Sequence, residues 1–335
     1  MLNDKANLNP KLFDEDIEQI PSRNGFGEGL VLAAEADKNV VGLCADLTES
    51  TRMEAFAKKF PERFFEIGVA EQNLATVAAG VALGGKIPFI SSYAMFSPGR
   101  NWEQIRTTIC YNDVPVKIIG SHAGISVGPD GATHQALEDI AIMRALPNMV
   151  VISPADSIEA KKATQAMAHH ASPCYMRLSR EKVPVVTTEQ TPFEIGKAEI
   201  FWEGSDPKPG VTVIATGQMV YRALQAAKEL ESHKISVRVI NYHTIKPLDK
   251  KTILAAAEET GAIVTVEEHQ IHGGLGAAIA EVVSQNYPVP MKIIGVEDRF
   301  GESGEPNELL EEFGLTKETI IKAVTSVIRM KEKHL

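Results

Sequence analysis

Residues 71–92 read EQNLATVAAGVALGGKIPFISS, and this stretch determines the class of fold. Small and apolar residues fill positions 74–83, so residues 71–83 predict a buried helix. After Gly84 and Gly85, residues 87–92 form a short apolar run that predicts a strand. A helix that leads into a short buried strand is the repeating unit of parallel α/β proteins.

The same alternation extends along the chain in both directions. Further strands are predicted at residues 40–44, 114–121, 149–153, 174–179, 211–215, 237–242, 262–267 and 291–295. Helices are predicted at residues 52–59, 102–111, 135–146, 158–169, 220–230, 250–259 and 275–285. This pattern predicts an α/β protein in which helices cover both faces of parallel sheets.

The chain divides near residues 182–193, where Pro184 and Pro192 flank the polar run TTEQT. Such a composition is typical of an interdomain linker. With 335 residues, 44% of them hydrophobic, the chain can build two cores. We therefore expect two parallel-sheet, three-layer domains, at residues 1–185 and 193–335.

Charge and composition exclude several classes of partner. The formal net charge is −10 and the isoelectric point is near 5.5, whereas nucleic acids and anionic membranes need a dense basic face. The chain has no N-terminal signal pattern and no apolar run of about 18 residues, so we expect no membrane partner and a cytoplasmic protein. Cys44, Cys110 and Cys174 are odd in number and far apart, which predicts buried reduced thiols rather than disulfides or a zinc site.

Polar and aromatic side chains gather where the predicted strands end. Ligands bind at this edge of open parallel sheets. The residues concerned are Asp46, Leu47, Ser50, Glu71, Tyr93, Phe96, His122, Asp130, His134 and Arg180.

Each of these residues, taken alone, has a structural explanation. A carboxylate such as Glu71 stabilises a helix N-terminus, and Tyr93 and Phe96 resemble ordinary core aromatics. His122 and Arg180 are compatible with structural roles, and the sequence GPDG at residues 128–131 is a turn signal. Their shared position at strand ends favours a binding site.

At these positions the sequence resembles the C-terminal two-thirds of transketolase, and the resemblance covers nearly the whole of this chain. The shared motifs are ADLT at residues 45–48, GVAEQN at 68–73, DGATHQ at 130–135, LSR at 178–180 and HTIKPLD at 243–249. The resemblance implies that residues 1–185 are a pyrimidine-binding domain and residues 193–335 a transketolase C-terminal domain. It also implies thiamine-diphosphate-dependent transfer of a two-carbon ketol unit from a ketose phosphate to an aldose phosphate, in the non-oxidative pentose phosphate pathway.

One motif of the family does not occur in this sequence. The family's diphosphate-binding domain carries Gly-Asp-Gly, which holds magnesium and the cofactor phosphates, and no Gly-Asp-Gly is present here. The resemblance therefore implies the C-terminal subunit of a split transketolase, active with a separate N-terminal subunit, most plausibly as an α2β2 assembly. We expect the metal ligands for Mg²⁺ to come from that partner and none from this chain.

The resemblance also implies roles for the cofactor-binding residues. Glu71 activates the cofactor through a hydrogen bond to its aminopyrimidine ring. Phe96 stacks on that ring, and Tyr93 completes the pocket wall. Leu47 supports the bent cofactor, with Asp46 near its thiazolium ring.

The substrate roles follow from the same resemblance. Asp130 reads the stereochemistry of the donor and His134 contacts its reacting end, so that Glu71, Asp130 and His134 form the catalytic set. The substrate phosphate is bound by Arg23, Ser50, His122 and Arg180, a donor set that suits a dianion. His269 and His272 in the second domain indicate packing or an interface.

Three other functions compete with this interpretation. The beta subunit of a 2-oxoacid dehydrogenase shares the two-domain layout and the activating glutamate, but the phosphate-binding set and the spacing from Asp130 to His134 favour transketolase. A 1-deoxyxylulose-5-phosphate synthase shares Asp130, His134 and the AEQ motif, yet lacks ADLT and is normally a single chain. A non-enzymatic interaction subunit would have lost the glutamate or the substrate histidines, and all are present.

Overall fold

The computed structural model describes residues 1–206 and 208–333, which contain two large sheets and a two-stranded ribbon. The strands are β1 (Gln19–Pro21), β2 (Val40–Cys44), β3 (Phe64–Glu66), β4 (Ile87–Tyr93), β5 (Lys117–Ser121), β6 (Val150–Ile152), β7 (Cys174–Arg177), β8 (Lys182–Pro184), β9 (Glu199–Trp202), β10 (Val211–Ala215), β11 (Val237–Asn241), β12 (Thr244–Lys246), β13 (Ile263–Gln270) and β14 (Met291–Val296). The α-helices are α1 (Ser22–Ala36), α2 (Glu54–Lys59), α3 (Glu71–Leu83), α4 (Trp102–Gln104), α5 (Asp139–Arg144), α6 (Ser157–Ala168), α7 (Met219–Ser232), α8 (Lys250–Thr260), α9 (Leu275–Asn286), α10 (Pro306–Glu312) and α11 (Lys317–Glu332). A π-helical segment, Ile105–Cys110, continues α4.

The first sheet has the strand order β12-β6-β7-β5-β4-β2-β3, and all its pairs except β12–β6 are parallel. Helices α1, α2 and α6 cover one face through residues such as Phe26, Phe56 and Met167. Helices α3 and α5 cover the other face through residues such as Leu74 and Met143. Because both faces are covered, the central strands are continuous apolar runs with every residue of β2 buried.

The second sheet has the order β14-β13-β10-β11-β9, with β9 as its antiparallel edge strand. Leu224 of α7 and Val324 of α11 pack on one face. Ile253 of α8 and Ile279 of α9 pack on the other. The predicted class, two three-layer α/β units with largely parallel sheets, is confirmed.

Two segments connect these units beyond the linker. Strand β12, from the motif HTIKPLD, pairs antiparallel with β6 and so extends the first sheet. At the other end of the chain, Asn3 N donates a hydrogen bond of 3.0 Å to Phe201 O, and Leu12 is buried in the core of the second unit. The bounds 1–185 and 193–335 remain predictions, since each unit receives a segment from the other part of the chain.

The helix α1 was not predicted from the sequence. Gly25, Gly27 and Gly29 lower its intrinsic helix propensity. In the fold, a Cβ on Gly25 would lie 1.7 Å from Ser157 O, and a Cβ on Gly29 would lie 2.7 Å from Lys161 O. The glycines therefore allow α1 to pack backbone-to-backbone against α6, and this contact outweighs the poor local propensity.

Candidate active site

Glu71 begins α3 and its side chain is only 2% exposed. Its Oε2 lies 2.6 Å from Arg100 Nη1, and its main-chain carbonyl accepts a 2.9 Å hydrogen bond from Asn101 Nδ2. A surface cavity of about 470 Å³ opens beside it, with Gln72 and Thr76 among the lining residues. The carboxylate is thus buried in the protein but borders a space that a ligand can enter.

Arg100 is a candidate functional residue that the sequence analysis missed. Besides pairing with Glu71, its guanidinium carbon lies 4.9 Å from the centre of the Phe96 ring. The planar guanidinium of Arg100 therefore contacts both the Glu71 carboxylate and the Phe96 ring. These are the two groups that, by the resemblance, bind the pyrimidine ring of the cofactor. The sequence offers little signal for this contact, because SPGR at residues 97–100 reads as a turn and Arg100 is 29 positions from Glu71.

Four rings form one cluster next to this pair. Tyr93 stacks on His122 with 3.9 Å between ring centres and on Phe96 with 6.3 Å. The ring of His134 packs edge-on against Phe96 at 5.3 Å and against Tyr93 at 6.3 Å. The predicted cofactor aromatics and substrate histidines therefore lie side by side.

His122 is 3% exposed and occupies a left-handed conformation with φ 55°. Arg23 Nη1 lies 3.0 Å from its Nε2, and Ser121 Oγ lies 2.9 Å from its Nδ1. Because a guanidinium only donates, Nε2 must accept and Nδ1 must carry the proton. Burial lowers the pKa of His122 to about 3, with the positive charges of Arg23 and Arg180 acting in the same direction. His122 is therefore a neutral imidazole at neutral pH.

Arg23 and Arg180 supply positive charge beside His122. Arg23 Nη1 donates to Ser50 O at 2.7 Å, and burial followed by repulsion from Arg52 lowers the pKa of Arg23. Arg180 Nη1 donates to Val127 O at 2.5 Å and lies 3.8 Å from Asp130 Oδ1. A bound anion would relieve the repulsion among these arginines.

Asp46 and Leu47 lie on the loop after β2. Asp46 has φ 59°, and its N–H donates to Glu66 Oε1 at 2.6 Å, while Thr48 Oγ1 donates to Glu66 Oε2 at 3.0 Å. Leu47 is partly buried and packs against the core beneath α1 and α2. Glu66, which the sequence analysis did not single out, thereby holds the loop in place.

The structure brings most of the predicted residues together. A continuous series of contacts joins Glu71, Arg100, Phe96, His134, Tyr93, His122, Arg23 and Ser50. Asp130 and Arg180 form an ion pair of 3.8 Å outside this series, and Asp46 and Leu47 precede Ser50 on one loop. His269 lies apart from this series, fully buried, where its Nε2 accepts a 3.3 Å hydrogen bond from Ala141 N.

Residues 1–206 and 208–333 contain neither a cluster of metal-ligating side chains nor a membrane-spanning helix. No three His, Cys, Asp or Glu side chains within them lie close enough together to hold a metal ion. Their helices also lack the combination of length and apolarity that spanning a membrane requires. The three cysteines are free and buried.

Comparison with known proteins identifies the family. The family model described as "Transketolase, pyrimidine binding domain" matches residues 18–186, and the one described as "Transketolase, C-terminal domain" matches residues 196–320. This chain belongs to the transketolase family. The resemblance drawn from the sequence motifs is confirmed.

Two transketolase relatives match this chain over nearly their whole length. The putative transketolase C-terminal section of Methanocaldococcus jannaschii is 46% identical, over 90% of this chain and 94% of that protein. The 6-deoxy-6-sulfo-D-fructose transketolase subunit SqwH of Clostridium sp. (strain MSTE9) is 40% identical, over 95% of this chain and 98% of that protein. By contrast, the chain spans 49% of human transketolase, to which it is 36% identical.

A solved transketolase structure has the same fold. It is described as a split gene transketolase in an inactive beta4 tetramer. The TM-score is 0.86 at 46% sequence identity, and the match covers 93% of this chain and 99% of that one.

Proposed function

We propose that this chain is the C-terminal subunit of a two-polypeptide transketolase, which transfers a two-carbon ketol unit from a ketose phosphate to an aldose phosphate. The observation that carries the proposal is the buried Glu71 carboxylate, which Arg100 links to the Phe96 ring. The Phe96 ring packs against His134 in the same ring cluster as His122, which Arg23 contacts. Relatives that this chain matches over nearly their whole length are named as a transketolase C-terminal section and a transketolase subunit, which supports the split arrangement.

One observation indicates that the residues present are suited to thiamine diphosphate. The Arg100 guanidinium, a planar group with N–H donors, already lies over Phe96 and donates to Glu71. The same carboxylate and ring are suited to a planar aminopyrimidine. When bound, this cofactor supplies a nucleophilic carbon that accepts the ketol unit. Glu71 would hold a proton at the pyrimidine ring nitrogen, Phe96 and Tyr93 would orient the ring, and Leu47 would support it from the opposite loop.

Substrate recognition rests on the cationic end of the site. Arg23 and Arg180 would bind the substrate phosphate through charge-assisted hydrogen bonds, with Ser50 and the neutral His122 beside them. His134, which packs against Phe96, would contact the reacting end of the donor, and Asp130, paired with Arg180, would read its hydroxyl groups. A sulfonate is also a tetrahedral anion, so the SqwH relative makes a sulfosugar the second candidate donor.

The remaining parts of the proposal concern assembly and location. A transketolase N-terminal subunit would provide the ligands for Mg²⁺ and the cofactor phosphates, in an α2β2 complex. We place this complex in the cytoplasm, in the non-oxidative pentose phosphate pathway. The chain by itself is expected to bind thiamine diphosphate weakly, since it offers no phosphate ligands of the Gly-Asp-Gly type.

The test is reconstitution with an N-terminal subunit. The chain is mixed with that subunit, thiamine diphosphate and Mg²⁺, and sugar products are measured from xylulose 5-phosphate and ribose 5-phosphate, with the chain alone as control. Activity only in the mixture is expected. Ketol transfer by the chain alone would overturn the split arrangement. Turnover of a sulfosugar donor but not of xylulose 5-phosphate would overturn the proposed substrate.

A further inference from the structure

The loop that carries Asp130 and His134 belongs to the first unit but rests on the second. A Cβ on Gly128 would lie 2.9 Å from Pro306 Cγ, and a Cβ on Gly131 would lie 2.5 Å from Ser303 Oγ. Gln135 Nε2 also donates a 2.9 Å hydrogen bond to Glu302 O. Residues 124–135, which we call the substrate loop, are therefore in close contact with residues 302–306.

Glu268, near the end of β13, holds the start of the substrate loop. Its side chain is 4% exposed, and its Oε1 accepts a 2.7 Å hydrogen bond from Ser126 N. Its Oε2 accepts from Gln218 Nε2, which also donates to Ser126 Oγ at 2.9 Å. Gly124 has φ 91°, and a Cβ there would lie 2.3 Å from the Glu268 carboxylate. Only glycine at position 124 leaves room for the carboxylate to reach the loop.

The far end of the substrate loop is tied to the same strand. Arg177 Nη2 donates to Glu268 O at 2.6 Å, and Arg177 Nε lies 3.0 Å from Asp139 Oδ2 at the start of α5. Gln270 N donates to Leu137 O at 2.9 Å. The loop is therefore clamped at both ends by β13, with Asp130 and His134 between the clamps.

We propose that Glu268 is a positioning residue, through which the C-terminal domain sets the placement of Asp130 and His134. This inference rests on the proposed function. Glu268 does not contact the predicted substrate residues and acts through Ser126 N and the loop that follows it. Replacing the carboxylate by an amide leaves one acceptor oxygen for the two donors Ser126 N and Gln218 Nε2, so one buried donor loses its partner. Small displacements of catalytic groups cost much of the rate.

The chain offers a matched control in the preceding residue. Glu267 is fully buried, and its carboxylate accepts hydrogen bonds of 2.7 Å from Leu275 N and Gly276 N. These bonds lie within the second unit, at the start of α9. Glu268→Gln and Glu267→Gln therefore remove the same charge from adjacent buried sites, but only the first touches the substrate loop.

Hydrogen exchange of the full chain decides the structural part of the inference. Glu268→Gln is expected to raise amide exchange in residues 124–137 by about ten-fold, the size of one lost bond to a charged acceptor, whereas Glu267→Gln raises it around residues 275–286. The double variant Glu268→Gln with Gln218→Glu exchanges the carboxylate and the amide between the two positions. It should restore the protection of the substrate loop from amide exchange. Equal exchange of the substrate loop in the two single variants would overturn the proposal.

Kinetics of the reconstituted complex test the functional part. Per folded enzyme, Glu268→Gln is expected to lower kcat/KM by about ten-fold, while Glu267→Gln changes thermal stability and leaves kcat/KM near the wild-type value. Equal kcat/KM in both variants would refute the positioning role. If the wild-type complex shows no ketol transfer, the proposed function fails, and the exchange measurement still decides whether Glu268 holds the loop.

Discussion

Gly124 provides the most direct measure of how tightly the substrate loop is held. Its φ of 91° and ψ of 177° lie in a region that is essentially restricted to glycine. We expect Gly124→Ala to destabilise the chain by two effects. The backbone conformation costs about 1–3 kcal/mol for alanine. The new Cβ, 2.3 Å from Glu268, must displace the carboxylate from Ser126 N.

The second effect has the size of a hydrogen bond to a charged acceptor, about 1.5–3 kcal/mol. The expected loss of unfolding free energy is therefore about 2.5–6 kcal/mol in total. The assay is urea unfolding of the purified chain followed by circular dichroism, with Gly80→Ala as the matched control. Gly80 lies inside α3, and a Cβ there would have no other part of the protein within 4 Å. The unfolding free energy of Gly80→Ala should therefore rise by about 0.5–1 kcal/mol. A loss below about 1 kcal/mol for Gly124→Ala would refute the reasoning, because the strained backbone alone should cost that much.

Four other predictions concern the active site. Glu71→Gln should reduce turnover of the reconstituted complex by about 10²–10⁴, the range for proton-transfer groups, and a rate within a few-fold of wild type would count against its role. The unfolding free energy should fall by no more than about 1 kcal/mol, the value of the half-exposed ion pair with Arg100. Arg180→Ala should raise KM for phosphorylated donors by roughly ten- to a hundred-fold and leave KM for hydroxypyruvate nearly constant, and an equal rise for both would remove the phosphate assignment. Arg100→Met should tighten binding of thiamine diphosphate to the complex by about two- to five-fold in calorimetry. The reason is that the pyrimidine ring of the cofactor must replace the half-exposed ion pair between Arg100 and Glu71, which is worth about 0.5–1 kcal/mol. Weaker binding would show that Arg100 assists the cofactor. Burial lowers the pKa of His122 to about 3, so His122 stays neutral in the folded chain while it becomes protonated in the unfolded chain below pH 6.5. The unfolding free energy should therefore fall by about 2 kcal/mol between pH 6.5 and 5. Urea unfolding of His122→Asn at these two pH values should show a correspondingly smaller fall in the unfolding free energy.

The sequence predicted elements well where the signal is local. Strand β2 and helix α3 have the predicted bounds, 40–44 and 71–83, because continuous apolar runs and helical spacing are properties of the segments themselves. Helices α1, α10 and α11 and strands β1, β3, β8, β9 and β12 were not predicted. Of these, α1 and β12 depend on partners far away in the chain. The glycines of α1 matter only against α6, and β12 forms only by pairing with β6.

The candidate site shows the same division. Its polar residues could be predicted because parallel strands bring their carboxyl ends to one edge, and because motifs such as GVAEQN are specific to a family. Arg100 could not be predicted, since its contacts with Glu71 and Phe96 depend on how the turn at residues 97–100 folds back. Glu268 reads in sequence as one more strand residue, yet its carboxylate lies 2.7 Å from Ser126 N in the other unit.

Periodicity and short motifs are encoded locally, so the α/β class, the family and the side chains available for chemistry follow from the amino-acid order alone. The pairing of charges, the neutral state of His122 as an acceptor for Arg23 and the hold of β13 on the substrate loop depend on the folded chain. Burial and pairing depend on which residues are neighbours in three dimensions. Residues such as Ser126 and Glu268, 142 positions apart, become partners only when the two sheets pack together.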